Sequence, residues 1–431
     1  MQMIPLYNIL IFIVIIIAFP VLLLIVLLSD KRRKTALQRM GLTQLPHSSL
    51  SSPIWVHALS VGETLSAAPL VKQLKEHFRD RNIVFSVSTK TGFEIANEII
   101  KQHADAVFFF PYDFIFSVKH IINKTDPCLV VIVETDIWPN FLSEMKKRDI
   151  PVFLVNTRLS KKSFSGYKRF SFFIKPVFMK LAKICTQSQE DARRFENIGI
   201  PPSLITVTGN IKFDQESDPV SDTEIKNMRQ SMKIESSQKI ILAGSTHEGE
   251  ETILLDVFSR LRKKYDDILM IIPRDPDRGR AVCRISESLG FSSAMMSELD
   301  KTDANIKNDV IVVNVIGILR KLYSVADIAF IGGSLVNFGG HNPLEPAVFS
   351  KPIIFGPYMS DFAQISEILL ESGGAVQVKD ADNLYETAEI FLTDTGKAKR
   401  VGDQAFKIFC SNKGAVERTL KVLEENSALK E

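Results

Sequence analysis

The chain has 431 residues, 45% of them hydrophobic and 24% charged, with 53 Lys and Arg against 50 Asp and Glu. That length exceeds one ordinary core and points to two domains of roughly 150 to 200 residues, while a formal net charge of +3 gives no argument for a nucleic-acid partner. Cys128, Cys185, Cys283 and Cys410 lie far apart with no C-x-x-C pair, and no histidines fall at H-E-x-x-H spacing, so neither a disulfide framework nor a metal site is expected.

From Ile9 to Leu28 the chain reads ILIFIVIIIAFPVLLLIVLL, without a charge. About 20 such residues are what a bilayer core requires of a helix. The basic cluster Lys31, Arg32, Arg33, Lys34 follows the run instead of preceding it, which is the reverse of a signal peptide. By the positive-inside rule everything beyond the cluster stays in the cytoplasm. Residues 1–30 are therefore expected to form a single-pass transmembrane anchor, with Pro20 a tolerated kink, and the cluster is placed to meet anionic inner-membrane lipids.

Past the anchor, short β-branched runs alternate with amphipathic stretches: IWVHAL, then a helix to Phe78; IVFSVS, then a helix through Ile100; AVFFFP; LVVIVE; PVFLVN; and KICTQS before QEDARRFENIG. This is the rhythm of a parallel sheet covered on both faces. The polar stretch Asp214 to Gln238 interrupts it, and the rhythm restarts with KIILAGS, ILMIIP, VIVV, DIAFIGG and PIIFGP. The expected architecture is α/β, with two doubly wound domains at residues 31–213 and 214–431, the C-terminal helices being free to pack back on the first. Ligands in such folds bind at the carboxyl ends of the strands.

Several residues just after strands could carry chemistry. Glu63, in HALSVGE, opens a helix, where the helix dipole alone would favour a carboxylate. Glu134 and Asp136 follow LVVIV, and Arg158 follows FLVNT. Together these three acids and one base could bind a hydroxyl acceptor and remove its proton. Further on, AGSTHEGEE sets Ser245, Thr246 and His247 between a strand and an acidic helix start, a pattern that capping also explains for Thr246. IIPRDPDRGR ends a strand with Pro273 and Arg274; its Asp275-Pro-Asp277 has D-x-D spacing but no third partner for a metal. GGSLVNFGGHNPLEP, with Gly339 and Gly340, reads either as tight turns or as backbone N–H groups gathered for a phosphate. Asn342 and Glu345 follow, the latter suited to ribose hydroxyls.

HALSVGE, ETDIWPN, NTRLSKKSFSGY, TGNIKFD, AGSTHEGEE, PRDPDR and GGHNPLEP, in this order behind an apolar segment, closely resemble the bacterial 3-deoxy-D-manno-octulosonic acid (Kdo) transferases, glycosyltransferase family 30. The resemblance runs from about Arg39 to Ala415. It implies a GT-B fold of two Rossmann-like domains, the first binding the acceptor and the second CMP-Kdo. It also implies transfer of Kdo to the lipid A precursor, lipid IVA, on the cytoplasmic face of the inner membrane during lipopolysaccharide synthesis. By resemblance Glu63 is the catalytic base and Glu134 lies across the acceptor site. Pro273 and Arg274 contact CMP, and Asn342 and Glu345 bind the nucleotide. Asp275 stands where the family usually has His, which leaves the cytidine contact open.

The scheme expects Glu63 to be kept ionised by its helix start, and Lys212 and Arg158 to meet the Kdo carboxylate or an acceptor phosphate. Ser245, His247, Gly339 and Gly340 complete the expected donor contacts. Since CMP leaves with one phosphate, no bridging metal or other cofactor is expected, and attack opposite the leaving group would invert the anomeric centre. A different GT-B transferase, a UDP-sugar 2-epimerase or a membrane-tethered scaffold that only binds nucleotide are the competing readings.

Overall fold

The computed structural model describes residues 3–27, 30–43, 51–215, 220–301 and 307–427. The end of the apolar run at Leu28 and part of the interdomain stretch fall outside them. The chain divides into two units, Met1–Glu216 with Asn412–Glu431, and Ser217–Ser411.

The first unit opens with helices α1 (Met3–Leu27) and α2 (Asp30–Arg39). Its sheet comprises β1 (Ile54–Ala58), β2 (Ile83–Val87), β3 (Ala106–Phe109), β4 (Leu129–Val133), β5 (Val152–Thr157), β6 (Lys183–Thr186) and β7 (Ile205–Val207). The strand order is β3-β2-β1-β4-β5-β6-β7, every pairing parallel. β1 thus lies between β2 and β4, and the loops leaving β1 and β4 emerge side by side at the point where the winding reverses. Strands buried on both faces explain the unbroken apolar runs. In β1, Ile54, Val56 and Ala58 pack on one face with helix α3 (Val61–His77) and the helix Ala415–Glu425. Trp55 points to the other face, its ring 5.3 Å from Phe108 and 5.2 Å from Phe141.

The second unit carries β8 (Ile240–Thr246), β9 (Ile268–Pro273), β10 (Ser293–Met295), β11 (Val310–Val312), β12 (Ile328–Ile331), β13 (Ile353–Phe355) and β14 (Ala375–Gln377). They form a second parallel sheet in the order β10-β11-β9-β8-β12-β13-β14. Its reversal point lies between β8 and β12.

Among the described residues no helix is long and apolar enough to cross a membrane. The side chains described in α1 run from Ile4 to Ala18, without Ile15. The single-pass span expected over residues 9–28 is therefore unsupported, and α1 makes polar contacts that a free-standing span would lack, since Tyr7 and Asn8 bond to the first unit.

The C-terminal helix is held to the first unit by Asp214, whose carboxylate accepts from Gly414 N at 2.6 Å and Val416 N at 2.5 Å. Hydrogen bonds to a charged acceptor are among the stronger ones. Asp214→Ala is expected to lower the unfolding free energy by about 2 kcal/mol, read as a lower urea midpoint with an unchanged slope.

Candidate active site

In the first unit only two residues separate β1 from α3. Ser60 caps the helix, its hydroxyl accepting from Glu63 N at 3.4 Å. Glu63 turns back so that its Oε2 accepts from Leu59 N at 2.5 Å. Burial pushes the Glu63 carboxyl up to about 7, and the charge of Glu134, with a smaller contribution from Asp136, pushes the same way. The N–H bonds from Leu59 and Ser60 oppose this without offsetting it. The helix start does not, then, keep Glu63 firmly ionised, contrary to the sequence expectation. A helix dipole contributes only about 0.3–1 kcal/mol at an exposed site, and here burial and two neighbouring acids outweigh it.

The neighbours come from the end of β4. Glu134 leaves the strand in the left-handed region, at φ 64°, where few non-glycine residues sit. Two residues on, Asp136 Oδ2 accepts from Trp138 Nε1 at 2.8 Å and lies 3.2 Å from His57 Nε2. His57 is fully buried in β1 and stacked 3.9 Å from the Phe110 ring. Trp55 Nε1 donates to Ser86 Oγ at 2.7 Å, and His57 Nδ1 lies 3.0 Å from both Ser86 Oγ and the Ser86 carbonyl oxygen. With a proton on Nε2, the His57 ring donates to Asp136. Arg39, closing α2, donates from Nε to Phe110 O at 2.9 Å with its guanidinium 4.2 Å from the Tyr112 ring centre. Burial lowers its pKa, and Tyr112 and the charge of Asp136 oppose that. The Tyr167 hydroxyl is raised by burial and by Asp136.

At the ends of β5 to β7, buried Asn156 sits at φ 53° where the pairing of β5 with β6 shifts register. Its Oδ1 accepts from Ile211 N at 3.1 Å and its carbonyl from Gln187 Nε2 at 2.8 Å. Asn210 caps the turn that carries Lys212. The Arg158 carbonyl accepts from Thr135 Oγ1 at 2.6 Å, tying the β5 loop to the β4 loop.

The second unit gathers its polar residues where β8, β9 and β12 end. Ser245, at φ 58°, marks a register shift in the β8–β9 pairing, and Arg274 N bonds to Thr246 O at 2.9 Å. His247 Nε2 lies 2.8 Å from His341 Nε2, and the His247 ring stacks on Phe338 at 4.1 Å. Burial lowers both histidines, His341 to about 4, and each is further depressed by Arg274. Glu345 is pushed up to about 7 by burial; Arg320, a hydrogen bond from Asn342 and Arg274 act against the shift. Asn342 Oδ1 also accepts from Leu344 N at 3.1 Å, opening the one-turn helix Leu344–Ala347.

The glycine-rich segment behaves differently from the phosphate cradle that its N–H groups suggested. Glu250, fully buried, accepts from Gly333 N at 2.7 Å, Ser334 N at 3.1 Å, Leu335 N at 3.0 Å and His247 N at 3.3 Å. A protein carboxylate fills the concavity. Gly340 N bonds to Gly333 O at 2.9 Å, and a side chain at Gly340 would collide with Met359 Sδ. At Gly339, φ 85°, it would meet Asp361 at 2.7 Å. These two glycines serve close packing. Asp275 accepts from Asp277 N at 3.0 Å as the cap of a short turn, and the described residues hold no group of three His, Cys, Asp or Glu arranged for a metal.

A family model described as 3-deoxy-D-manno-octulosonic-acid transferase (kdotransferase) matches residues 34–215. The chain is 32% identical over 400 residues to the 3-deoxy-D-manno-octulosonic acid transferase of Haemophilus influenzae, covering 92% of each. The chain belongs to the Kdo transferase family. To the Rickettsia bellii transferase it is 32% identical over 377 residues, covering 86% of each. Among solved structures, the UDP-GlcNAc 2-epimerase from Neisseria meningitidis bound to UDP-GlcNAc superposes with a TM-score of 0.56 at 15% identity, covering 86% of this chain and 100% of that one. That likeness is one of fold.

In this glycosyltransferase the expected residues divide between the units. Glu63 and Glu134 meet in the first, and Ser245, His247, Pro273, Arg274, Asn342 and Glu345 lie about one strand edge in the second. Lys212, expected among the donor contacts, belongs to the first unit. His57, Arg39 and Glu250 were missed as organisers. A histidine in the otherwise apolar run IWVHAL was the available signal, because a buried imidazole requires partners.

Two outcomes follow from these carboxylates. Glu250→Ala strands four N–H groups and is expected to destabilise the second unit by about 4 kcal/mol, with Glu250→Gln in between, measured by urea unfolding. For Glu63 the folded pKa lies above the unfolded one, so its ionisation costs stability as pH rises from the ordinary carboxylate range to about 7. Glu63→Gln should accordingly be more stable than wild type above pH 7, the difference closing as pH falls toward 4.

Proposed function

We propose that this transferase moves Kdo from CMP-Kdo to a hydroxyl of the membrane-bound lipid A precursor, lipid IVA, with inversion at the anomeric carbon and without a metal. The observation that carries the reading is Glu63, a carboxyl at a strand end with its pKa pushed up to about 7. An ordinary carboxylate is a poor match for a hydroxyl proton, and raising its pKa toward working pH improves it as a general base.

In the proposed step the acceptor oxygen bonds to the anomeric carbon while its proton passes to Glu63. The bond from that carbon to the phosphate oxygen breaks, and its electron pair leaves with CMP. Glu134 tunes Glu63 by charge, and Asp136, fixed by His57 and Trp138, holds the acceptor side in shape. In the second unit Arg274 offers positive charge to the departing phosphate. Pro273, Ser245 and His247 line the cytidine side, and Asn342 with Glu345 takes the ribose hydroxyls. Lys212 and Arg158 suit the Kdo carboxylate or an acceptor phosphate. A leaving group with a single phosphate needs no bridging cation.

The site of action is the cytoplasmic face of the bacterial inner membrane. Supporting this, the apolar N-terminal segment is followed by Lys31 to Lys34. Phe170, between the helices Lys161–Arg169 and Ser171–Phe178, and Phe172 and Phe173, in the first turn of the second, are 55%, 75% and 43% exposed, beside Lys168 and Arg169 in sequence. Exposed aromatics with adjacent bases suit an anionic lipid interface.

Wild type and Glu63→Ala are to be assayed on CMP-Kdo and tetraacylated lipid A precursor in detergent with EDTA, product being read by mass. Wild type is expected to add Kdo, and the folded variant to lose at least about a hundredfold in kcat, the scale of general-base catalysis. Full activity in the variant would remove Glu63 as base, and a wild type rescued only by a divalent ion would remove metal independence. Since the base acts ionised, kcat/KM should rise with pH to a plateau above about 7. In Glu134→Gln that limb should move to lower pH, as one repelling charge is gone.

A further inference from the structure

The parallel neighbours at the reversal point of the second sheet, β8 and β12, each lead to a histidine, His247 directly past β8 and His341 ten residues past β12. In doubly wound folds this crevice is where a ligand sits. The Nε2 atoms are 2.8 Å apart, the ring centres 5.1 Å apart and the ring planes within 3° of parallel. An imidazole is too small for those numbers to describe a stack. Both nitrogens must lie on the line between the centres, so the rings share one plane and meet edge to edge through an N–H···N hydrogen bond.

The backbone is shaped to hold the pair. His247 N donates to Glu250 Oε2 at 3.3 Å and His341 N to Gly332 O at 3.2 Å. Gly333, at φ 67°, leaves room for both rings, since a Cβ there would stand 3.2 Å from the Cδ2 atoms of His247 and His341. Phe338 lies on the His247 ring at 4.1 Å and is itself 56% exposed. The charged groups acting on the pair are Arg274 and Arg278, past β9, together with Glu250, whose carboxylate is committed to backbone N–H groups.

A neutral imidazole carries one proton on two nitrogens. Two neutral rings joined Nε2 to Nε2 therefore hold one proton between them and one on the Nδ1 of the accepting ring, so each ring dictates the other's tautomer. A third proton would place N–H groups on both outer nitrogens. Burial disfavours that proton in the empty site, as do Arg274 beside both rings and Arg278 beside His247. A phosphate bound to Arg274 reverses the balance, because its negative charge offsets the guanidinium and favours an imidazolium nearby.

We propose that His341 is a positioning residue for the donor's leaving group: joined to His247, it fixes which His247 nitrogen carries the proton, and the pair takes up one proton from solvent when the phosphate of CMP sits beside it. The inference rests on the CMP-Kdo reading above and deepens it. No covalent bond forms at the pair. The acceptor proton still passes to Glu63, and the added proton stays on the imidazoles, donating to the phosphate until CMP dissociates.

The test measures inhibition by the product CMP against pH, on the full-length enzyme in detergent, for wild type, His341→Gln, His247→Gln and the double variant. Glutamine keeps a hydrogen-bonding amide near the Nε2 position and cannot take up the proton. The ionisation of CMP itself is common to all four enzymes and cancels in ratios of Ki. The ratio of His341→Gln to wild type is expected to grow roughly tenfold for each unit that pH falls between about 7 and 5. His247→Gln should match it, and the double variant should add nothing further. A ratio constant with pH would overturn the shared proton, and single effects that multiply in the double variant would overturn the pairing. Calorimetry of CMP binding to wild type near pH 7, in two buffers of different ionisation enthalpy, should show an uptake approaching one proton; no uptake would overturn the proposal without recourse to any variant. Inhibition by UDP and none by CMP would overturn the donor reading itself.

Discussion

Three carboxyl groups that repel one another at the ends of two adjacent strands govern how the first unit is built. β1 and β4 are parallel neighbours, so Glu63 after one and Glu134 and Asp136 after the other cannot be kept apart. Behind them the rings of Trp55, Phe108, Phe110 and Phe141 exclude water, and in such surroundings an unpaired charge is costly. The structure resolves the conflict unequally. Asp136 is given two donors, His57 and Trp138, and Arg39 lies within reach of its charge. Glu63 receives backbone N–H groups only, and burial with the charges of Glu134 and Asp136 pushes it toward neutrality. Difference of environment between two carboxyl groups separates a fixed hydrogen-bond acceptor from a group able to exchange a proton.

The second unit meets the same topological problem with another device. Its acid after the first strand, Glu250, is buried more completely than Glu63 yet faces four backbone donors. Burial still raises it, and each donor bond pulls the other way. Such a carboxylate suits a structural clamp better than a base, because removing or protonating it would undo the loop that it holds. With the loop fixed from within, the surface beyond it is left to His247, Arg274 and Glu345, whose charges act on one another.

Much of this was legible in the sequence. Parallel strands buried on both faces read as unbroken apolar runs, so LVVIV and IILAG announced themselves, and the loops beyond the strands were the place to look: Glu134 and Arg274 stand one residue past β4 and β9, Glu63 five past β1 and Glu345 fourteen past β12. What escaped depended on partners distant in the chain. The helix start beside Glu63 is local and visible, whereas Glu134 is a neighbour only through the β1–β4 pairing. The glycine run promised free N–H donors, but their acceptor lies more than eighty residues earlier, at Glu250. The apolar N-terminus gave no sign that Tyr7 and Asn8 would bond to the folded unit, since hydropathy describes what surrounds a helix and says nothing of where its ends are tied.

That last distinction bears on how α1 and the acidic cluster come to share one stretch of chain. Pro139 and Asn140 begin a helix whose first N–H groups are capped by Asp113, the residue that also receives Tyr7. Trp138, immediately before, reaches back to Asp136. One end of the stretch is set by α1 and the other by the acidic cluster, with a single turn of backbone between. Coupling through such a link requires an element with two alternative arrangements, and a capped helix start with each donor paired has one. The connection is therefore positional: it fixes where the acidic cluster stands relative to α1.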